Sequence, residues 1–98
     1  MFRVALIQNQ SEMAHYGYAD ARPLLTDLGY EITLFTADNI DALGASLARN
    51  QFDAVVFGSN ALNDKTIRAE TAGEAFRGAF SEWLSKNHGC LCMHQLRL

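Results

Sequence analysis

The sequence predicts an α/β domain built on a doubly wound parallel sheet. Three observations lead there. Four short apolar runs are rich in β-forming residues. Amphipathic stretches with helical spacing separate them. Polar segments follow the first, third and fourth runs, where such a sheet places its binding groups. The chain has 98 residues, enough for one domain with a modest core. Hydrophobic residues make up 49% and charged residues 19%, which excludes a disordered composition.

The first strand is expected at Phe2 to Ile7. The second, Glu31 to Thr36, alternates with period two. The third, Phe52 to Phe57, is almost continuously apolar, and so is the fourth, Cys90 to Met93. Continuous apolar runs of this length suit strands covered on both faces. Before the second strand, Ala21, Leu24, Leu25 and Leu28 share one helical face. Asp20 fits the N-cap, Pro23 falls in the first turn, and Gly29 fits the position just past the helix end. The second helix carries Ile40, Leu43 and Leu47, with Asp38 as cap and Asp41 three residues on. The third is expected from about Ala72 to Lys86. Thr71 and Glu74 match a capping box, and Phe76, Phe80 and Trp83 form its apolar face. Gly73 and Gly78 weaken it and leave room for close approach to the sheet.

This order, β-α-β-α-β-α-β, predicts parallel strands joined by right-handed crossovers. The expected architecture is a flavodoxin-like three-layer sheet, four strands in order 2-1-3-4 with three helices. No repeat, linker or second domain is visible in residues 1–98.

The composition also narrows the function. The formal net charge is −3 with scattered Lys and Arg, so no basic stripe points to nucleic acid or an acidic membrane. No apolar run approaches the ~20 residues of a membrane span. The N-terminal run lacks the pattern of a secretory signal, so a cytoplasmic location is expected. The two cysteines, spaced C-x-C, are read as free thiols.

Ligands of an open parallel sheet bind beyond the strands' carboxyl ends, where strand order reverses. Three polar segments are expected to converge there. The first runs from Gln8 to Tyr18, longer than the usual ~2–6 residues of such a loop. It reads either as a solvated loop closing the core or as a binding loop that uses Asn9, Gln10, His15 or Tyr16. The second, Gly58-Ser59-Asn60, is either a plain turn or a cradle whose backbone N–H groups meet a bound oxygen. The third is His94-Gln95 after the fourth strand. The candidate ligand-binding set is therefore Asn9, Gln10, His15, Gly58, Ser59, Asn60, His94 and Gln95.

Other chemistry lacks its residues. There is no G-x-G-x-x-G and no P-loop lysine, so no nucleotide cofactor is expected. A phosphoacceptor site would need carboxylates where Gln8-Asn9 and Gly58-Ser59 stand. Cys90, Cys92 and His94 share a strand face, but residues two apart lie ~6.6 Å apart along a strand. Ligands of one zinc must lie within ~4 Å of each other. No metal site is expected, and the cysteines read as small buried hydrophobes.

Several stretches carry a family resemblance: Arg3-Val4-Ala5-Leu6-Ile7, then Leu28-Gly29-Tyr30-Glu31-Ile32-Thr33-Leu34, then Phe52-Asp53-Ala54-Val55-Val56-Phe57-Gly58, and finally Gly89 through Leu91-Cys92-Met93-His94. Together they resemble the class I glutamine amidotransferase-like fold, closest to its trehalose-utilisation (ThuA-like) branch. In true amidotransferases a nucleophilic cysteine stands at the elbow after this strand. The ThuA-like branch has a histidine there, the place of His94. The chain departs from the active pattern. Cys92 falls two residues early, Gln95 and Leu96 follow His94 instead of glycine, and no His-x-Glu follows. The resemblance implies no catalytic residue and no glutamine hydrolysis. It implies a non-catalytic interaction or ligand-sensing module of a larger protein, or alternatively a fragment of a ThuA-like hydrolase or sugar-processing enzyme with His94 at the elbow.

The fourth strand carries neither charge nor proline, the usual protections of a sheet edge. A longer parent chain, or a second chain pairing there, is therefore expected. The partners expected are other domains of the same polypeptide, a protein partner at the strand 4 edge, or a homodimer.

Overall fold

The computed structural model describes residues 2–9, 22–58, 61–86 and 89–92, the side chains of 90–92 excepted. It shows an α/β fold on a parallel sheet. Strand β1 (Arg3–Ile7) lies between β2 (Glu31–Phe35) and β3 (Ala54–Phe57). The register runs Ala5 against Thr33 on one side and Val55 on the other. The backbone of β4 (Gly89–Cys92) pairs in parallel with β3, so the sheet order is β2-β1-β3-β4.

Four α-helices form among the described residues: α1 (Arg22–Asp27), α2 (Leu43–Ala48), α3 (Lys65–Ala72) and α4 (Glu74–Ser85). Short 3₁₀ turns at Ile40–Ala42 and Ala61–Asn63 precede α2 and α3. The sheet's two faces bury different residues. On one, Ala5, Ile7, Phe35 and Val55 pack with Leu43 and Leu47 of α2, Ile67 of α3, and Phe76 and Trp83 of α4. On the other, Val4, Leu6 and Val56 pack with Leu25 of α1. The helices change face because the chain steps outward from β1 to β2, then back across β1 to β3. Right-handed crossovers in opposite directions must use opposite faces.

Two helix ends share one device. Tyr30 N–H bonds to Leu25 O and Gly29 N–H to Thr26 O, a Schellman closure of α1 with Gly29 at φ 87°. Gln51 N–H bonds to Ser46 O and Asn50 N–H to Leu47 O, closing α2 the same way with Asn50 at φ 55°. Asparagine tolerates this left-handed conformation better than most residues.

The helical region after β3 differs from expectation. Instead of three helices there are four, because the segment from Ala61 to Glu70, expected as a loop, forms α3, while the expected last helix is α4. Thr71 is not a cap: it lies inside α3 and donates its hydroxyl to Ile67 O at 2.8 Å. The cap of α3 is Asp64, whose Oδ1 accepts from Thr66 N–H at 2.8 Å and Ile67 N–H at 3.0 Å. A helix therefore starts at Lys65, and the chain straightens at Gly73 (ψ 151°) before α4 begins. Gly78 does not serve close packing, since a Cβ there would meet nothing within 4 Å. Asp38 is not a cap either. Asn39 stands at that position without a side-chain cap bond, its side chain reaching back instead, Oδ1 accepting from Thr36 N–H at 2.7 Å and Nδ2 donating to Leu34 O. The expected face of α1 is also corrected. Leu25 is buried, whereas Leu24 and Leu28 are 58% and 59% exposed.

No helix among the described residues is long and apolar enough to cross a membrane.

Candidate site at the carboxyl ends of the central strands

Beyond Ile7 the chain stays buried for two more residues, and both are carboxamides. Gln8 is fully buried and Asn9 nearly so. They are the buried polar side chains of the described core. Buried amides of this kind need hydrogen-bond partners, and both make interactions. The Gln8 backbone is fixed from β2, its N–H donating to Phe35 O at 3.0 Å.

Gly58 closes the other side. Its N–H donates to Ile7 O at 2.8 Å, extending the β1–β3 ladder by one bond. A Cβ on Gly58 would lie 3.1 Å from Ile7 O, 3.1 Å from Gln8 Cγ and 3.5 Å from Gln8 Oε1. The absent side chain lets the β3 backbone lie against the Gln8 amide. Gly58 O then accepts from Ala61 N–H at 3.2 Å, turning the chain toward Asp64 and α3.

The structure thus places Gly58 against Gln8 at the strand-order reversal, with the buried Asn9 following Gln8 in the chain. The other sequence-predicted residues, Gln10, His15, Ser59, Asn60, His94 and Gln95, lie outside the described residues, as do Asp20, Ala21 and Met93. The cysteine side chains lie outside them too. Among the described residues, no group of three His, Cys, Asp or Glu side chains is placed to hold a metal ion.

Sequence reading placed Gln8 in the first loop but gave it no role. The signal was a glutamine directly abutting an apolar strand, a place where burial follows from the strand's own burial. Asp64 was missed as a cap because the segment from Ala61 to Glu70 reads as a loop. The D-x-x before Ile67 is a local signature that could have found it.

Chemically, Gln8, Asn9 and the Gly58 backbone carry only neutral donors and acceptors, and Gly58 N–H and O are engaged by Ile7 O and Ala61 N–H. None of the three supplies a nucleophile or a group that titrates near neutrality. By themselves these groups cannot transfer a proton.

No protein-family model, curated protein or solved structure matches the chain.

Proposed function

We propose that the chain is a flavodoxin-like, amidotransferase-like domain that binds a small polar ligand at the carboxyl edge of β1 and β3 without catalysing its turnover. The observation that carries this is the buried pair Gln8-Asn9, with Gln8 against Gly58, at the reversal point of a parallel sheet. That is where open α/β sheets hold ligands. Placing two carboxamides in a core costs desolvation, which hydrogen bonds must offset. A neutral, hydrogen-bonding ligand such as a carboxamide or polyol fits this chemistry better than a phosphate, which would call for cations or a glycine-rich cradle.

The polar segments of the sequence around Gln10, His15, Ser59-Asn60 and His94-Gln95 extend the same proposal. In it, His94 contacts ligand and does no chemistry. The test is a thermal-shift screen against neutral amides, sugars and polyols, since a ligand of the folded state raises Tm. Asn9→Ala, checked for folding by circular dichroism, should abolish the shift. Glutamine should not be hydrolysed by the wild type or by His94→Ala. If the whole library leaves Tm unmoved, or if folded Asn9→Ala keeps the full shift, the reading is wrong. Hydrolysis by the wild type that is lost in His94→Ala would establish the enzyme alternative.

A further inference from the structure

Strand β2 ends the sheet on the side away from β3. Glu31 N–H donates to Phe2 O at 2.9 Å, and Phe35 O accepts from Gln8 N–H at 3.0 Å, so both residues bond toward β1. Backbone groups along a strand alternate in direction. Ile32 and Leu34 therefore turn their N–H and C=O outward, and Thr36 continues that row. Within the strand itself the usual edge protections are missing. EITLF holds no lysine and no proline, carries its one charge at its first residue, and pairs with β1 without a bulge.

The protection comes from the loop that follows. Asn39 Nδ2 donates to Leu34 O at 3.0 Å, and Asn39 Oδ1 accepts from Thr36 N–H at 2.7 Å. A strand added at this edge would have to donate to that carbonyl and accept from that N–H. One carboxamide holds both places. The loop aims it there: Asn39 N–H donates to Thr36 O at 3.2 Å and Asp38 N–H to Thr36 Oγ1 at 3.3 Å, which folds the chain back, and the next residue, Ile40, is anchored in the core. At the other end of the row, Tyr30 N–H is engaged by Leu25 O at 3.3 Å, in the closure of α1. Between the two closures, Ile32 is the residue of β2 whose outward N–H and C=O both lie outside them. That span is shorter than the ~3 residues of the shortest usual strands.

We infer that Asn39 is an edge lock: its carboxamide stands in for a neighbouring strand at the carboxyl end of β2 and keeps that edge from accepting another chain. The strand's composition makes such a lock necessary. A short run of β-forming, mostly apolar residues with little charge pairs readily with copies of itself once its edge is open. A charge at Ile32 or Leu34 could not replace the lock, because both side chains pack with Leu25 against the core. A polar side chain reaching back from the next loop protects the backbone and leaves the packing intact.

Asn39→Ala removes both bonds from an exposed position. In purified protein the strand on offer is that of another copy. Sedimentation velocity of the folded variant should therefore show species at multiples of the 10.9 kDa chain mass that the wild type lacks at the same concentration. Thr33 is exposed in the middle of β2, and adding Thr33→Lys to Asn39→Ala should abolish those species, since an edge lysine opposes pairing. Asp64→Ala, which loosens the start of α3 instead, should sediment as the wild type does. Should circular dichroism show Asn39→Ala unfolded, Asn39→Asp takes its place. It keeps an acceptor for Thr36 N–H, loses the donor to Leu34 O, and is run in high salt to screen its added charge. The inference is overturned if the folded Asn39 variant associates no more than the wild type, if Asp64→Ala associates equally, or if Thr33→Lys leaves the association unchanged.

Discussion

The Arg3 guanidinium grips the Asp53 carboxylate with two bonds, Nε to Oδ2 at 3.1 Å and Nη2 to Oδ1 at 3.0 Å. The same carboxylate accepts the Arg3 backbone N–H at 2.8 Å, while Asp53 N–H donates to Arg3 O at 2.8 Å. Two strands' amino ends are thus tied by side chain and backbone together, at the end of the sheet opposite the candidate site.

The pair predicts an asymmetry between two variants. Asp53→Ala removes the salt bridge and also the acceptor of a backbone N–H, a loss of about 1–2 kcal/mol for the latter. Arg3→Gln removes only the ion pair, whose side chains are 39% and 31% exposed. It should lower Tm less, and its effect should shrink in high salt, which screens exposed charges. The Asp53 hydrogen bond, aided by the Asp53 and Glu31 charges and opposed by desolvation, raises the Arg3 pKa above its ordinary value. A raised base contributes its full stability below the unfolded pKa and loses it only as pH climbs through the folded one. Arg3's contribution should therefore stay constant across neutral pH and fade in strong alkali. Thermal melts over pH and salt read both effects.

Trp83 is buried, and its Nε1–H donates to Phe52 O at 3.1 Å. It also stacks on Phe80, with ring centroids 5.8 Å apart. Trp83→Phe should cost about 1–2 kcal/mol through the lost hydrogen bond. Trp83→Ala should cost about 3–5 kcal/mol, most of the stability of a small domain. Urea denaturation followed by circular dichroism checks both. Since Trp83 is the chain's single tryptophan, the wild type's own fluorescence should report the same midpoint.

Asp64→Ala should destabilise the protein by about 1 kcal/mol, because two N–H groups at the start of α3 lose their acceptor. Asp64→Asn should recover most of it, since asparagine caps nearly as well. Thr71→Ala, by contrast, removes a bond inside a helix and should be close to neutral. Chemical denaturation of the three variants separates the observed cap from the one the sequence suggested.

Gly58 and Gly29 should fail for different reasons when replaced by alanine. At Gly58 the new methyl would press on Ile7 O and Gln8 Cγ, both 3.1 Å away, and Ile7 O is held by the strand ladder. The cost should be roughly 1–3 kcal/mol of overpacking, with shifts in the Gln8 side-chain amide signals. At Gly29 a methyl meets nothing within 4 Å, but φ is 87°. The cost there is backbone strain of about 1–2 kcal/mol, with the Gln8 signals unchanged. Denaturation midpoints and side-chain amide NMR of both variants check this contrast.

The positions legible in advance share a property: their local chemistry leaves one solution. Gly29 after Leu28 was readable because only glycine takes that backbone angle cheaply. The parallel alternation was readable because apolar runs of four to six residues and amphipathic runs cannot exchange roles without exposing a core. Asn9 and Gly58 were readable as neighbours of the strand-order reversal because that place follows from topology.

What stayed hidden depends on partners distant in the chain. Thr71 and Glu74 satisfy the capping pattern, yet Thr71 lies inside a separate helix, α3, which Asp64 begins and which delivers Ile67 beneath the sheet face, and α4 starts after Gly73. Leu24, Leu25 and Leu28 look alike along the helix. Only the place of α1 at the edge of β1 and β2 decides that Leu25 enters the core and the other two face outward. Gln8 became the centre of the candidate site only once Phe35 and Gly58 closed around it from two other strands. The sequence alone determined the alternation of elements and their turns, since these rest on contacts a few residues apart. The tertiary structure decided which faces are buried and which polar groups follow them inside, since burial is settled by segments meeting across the whole chain.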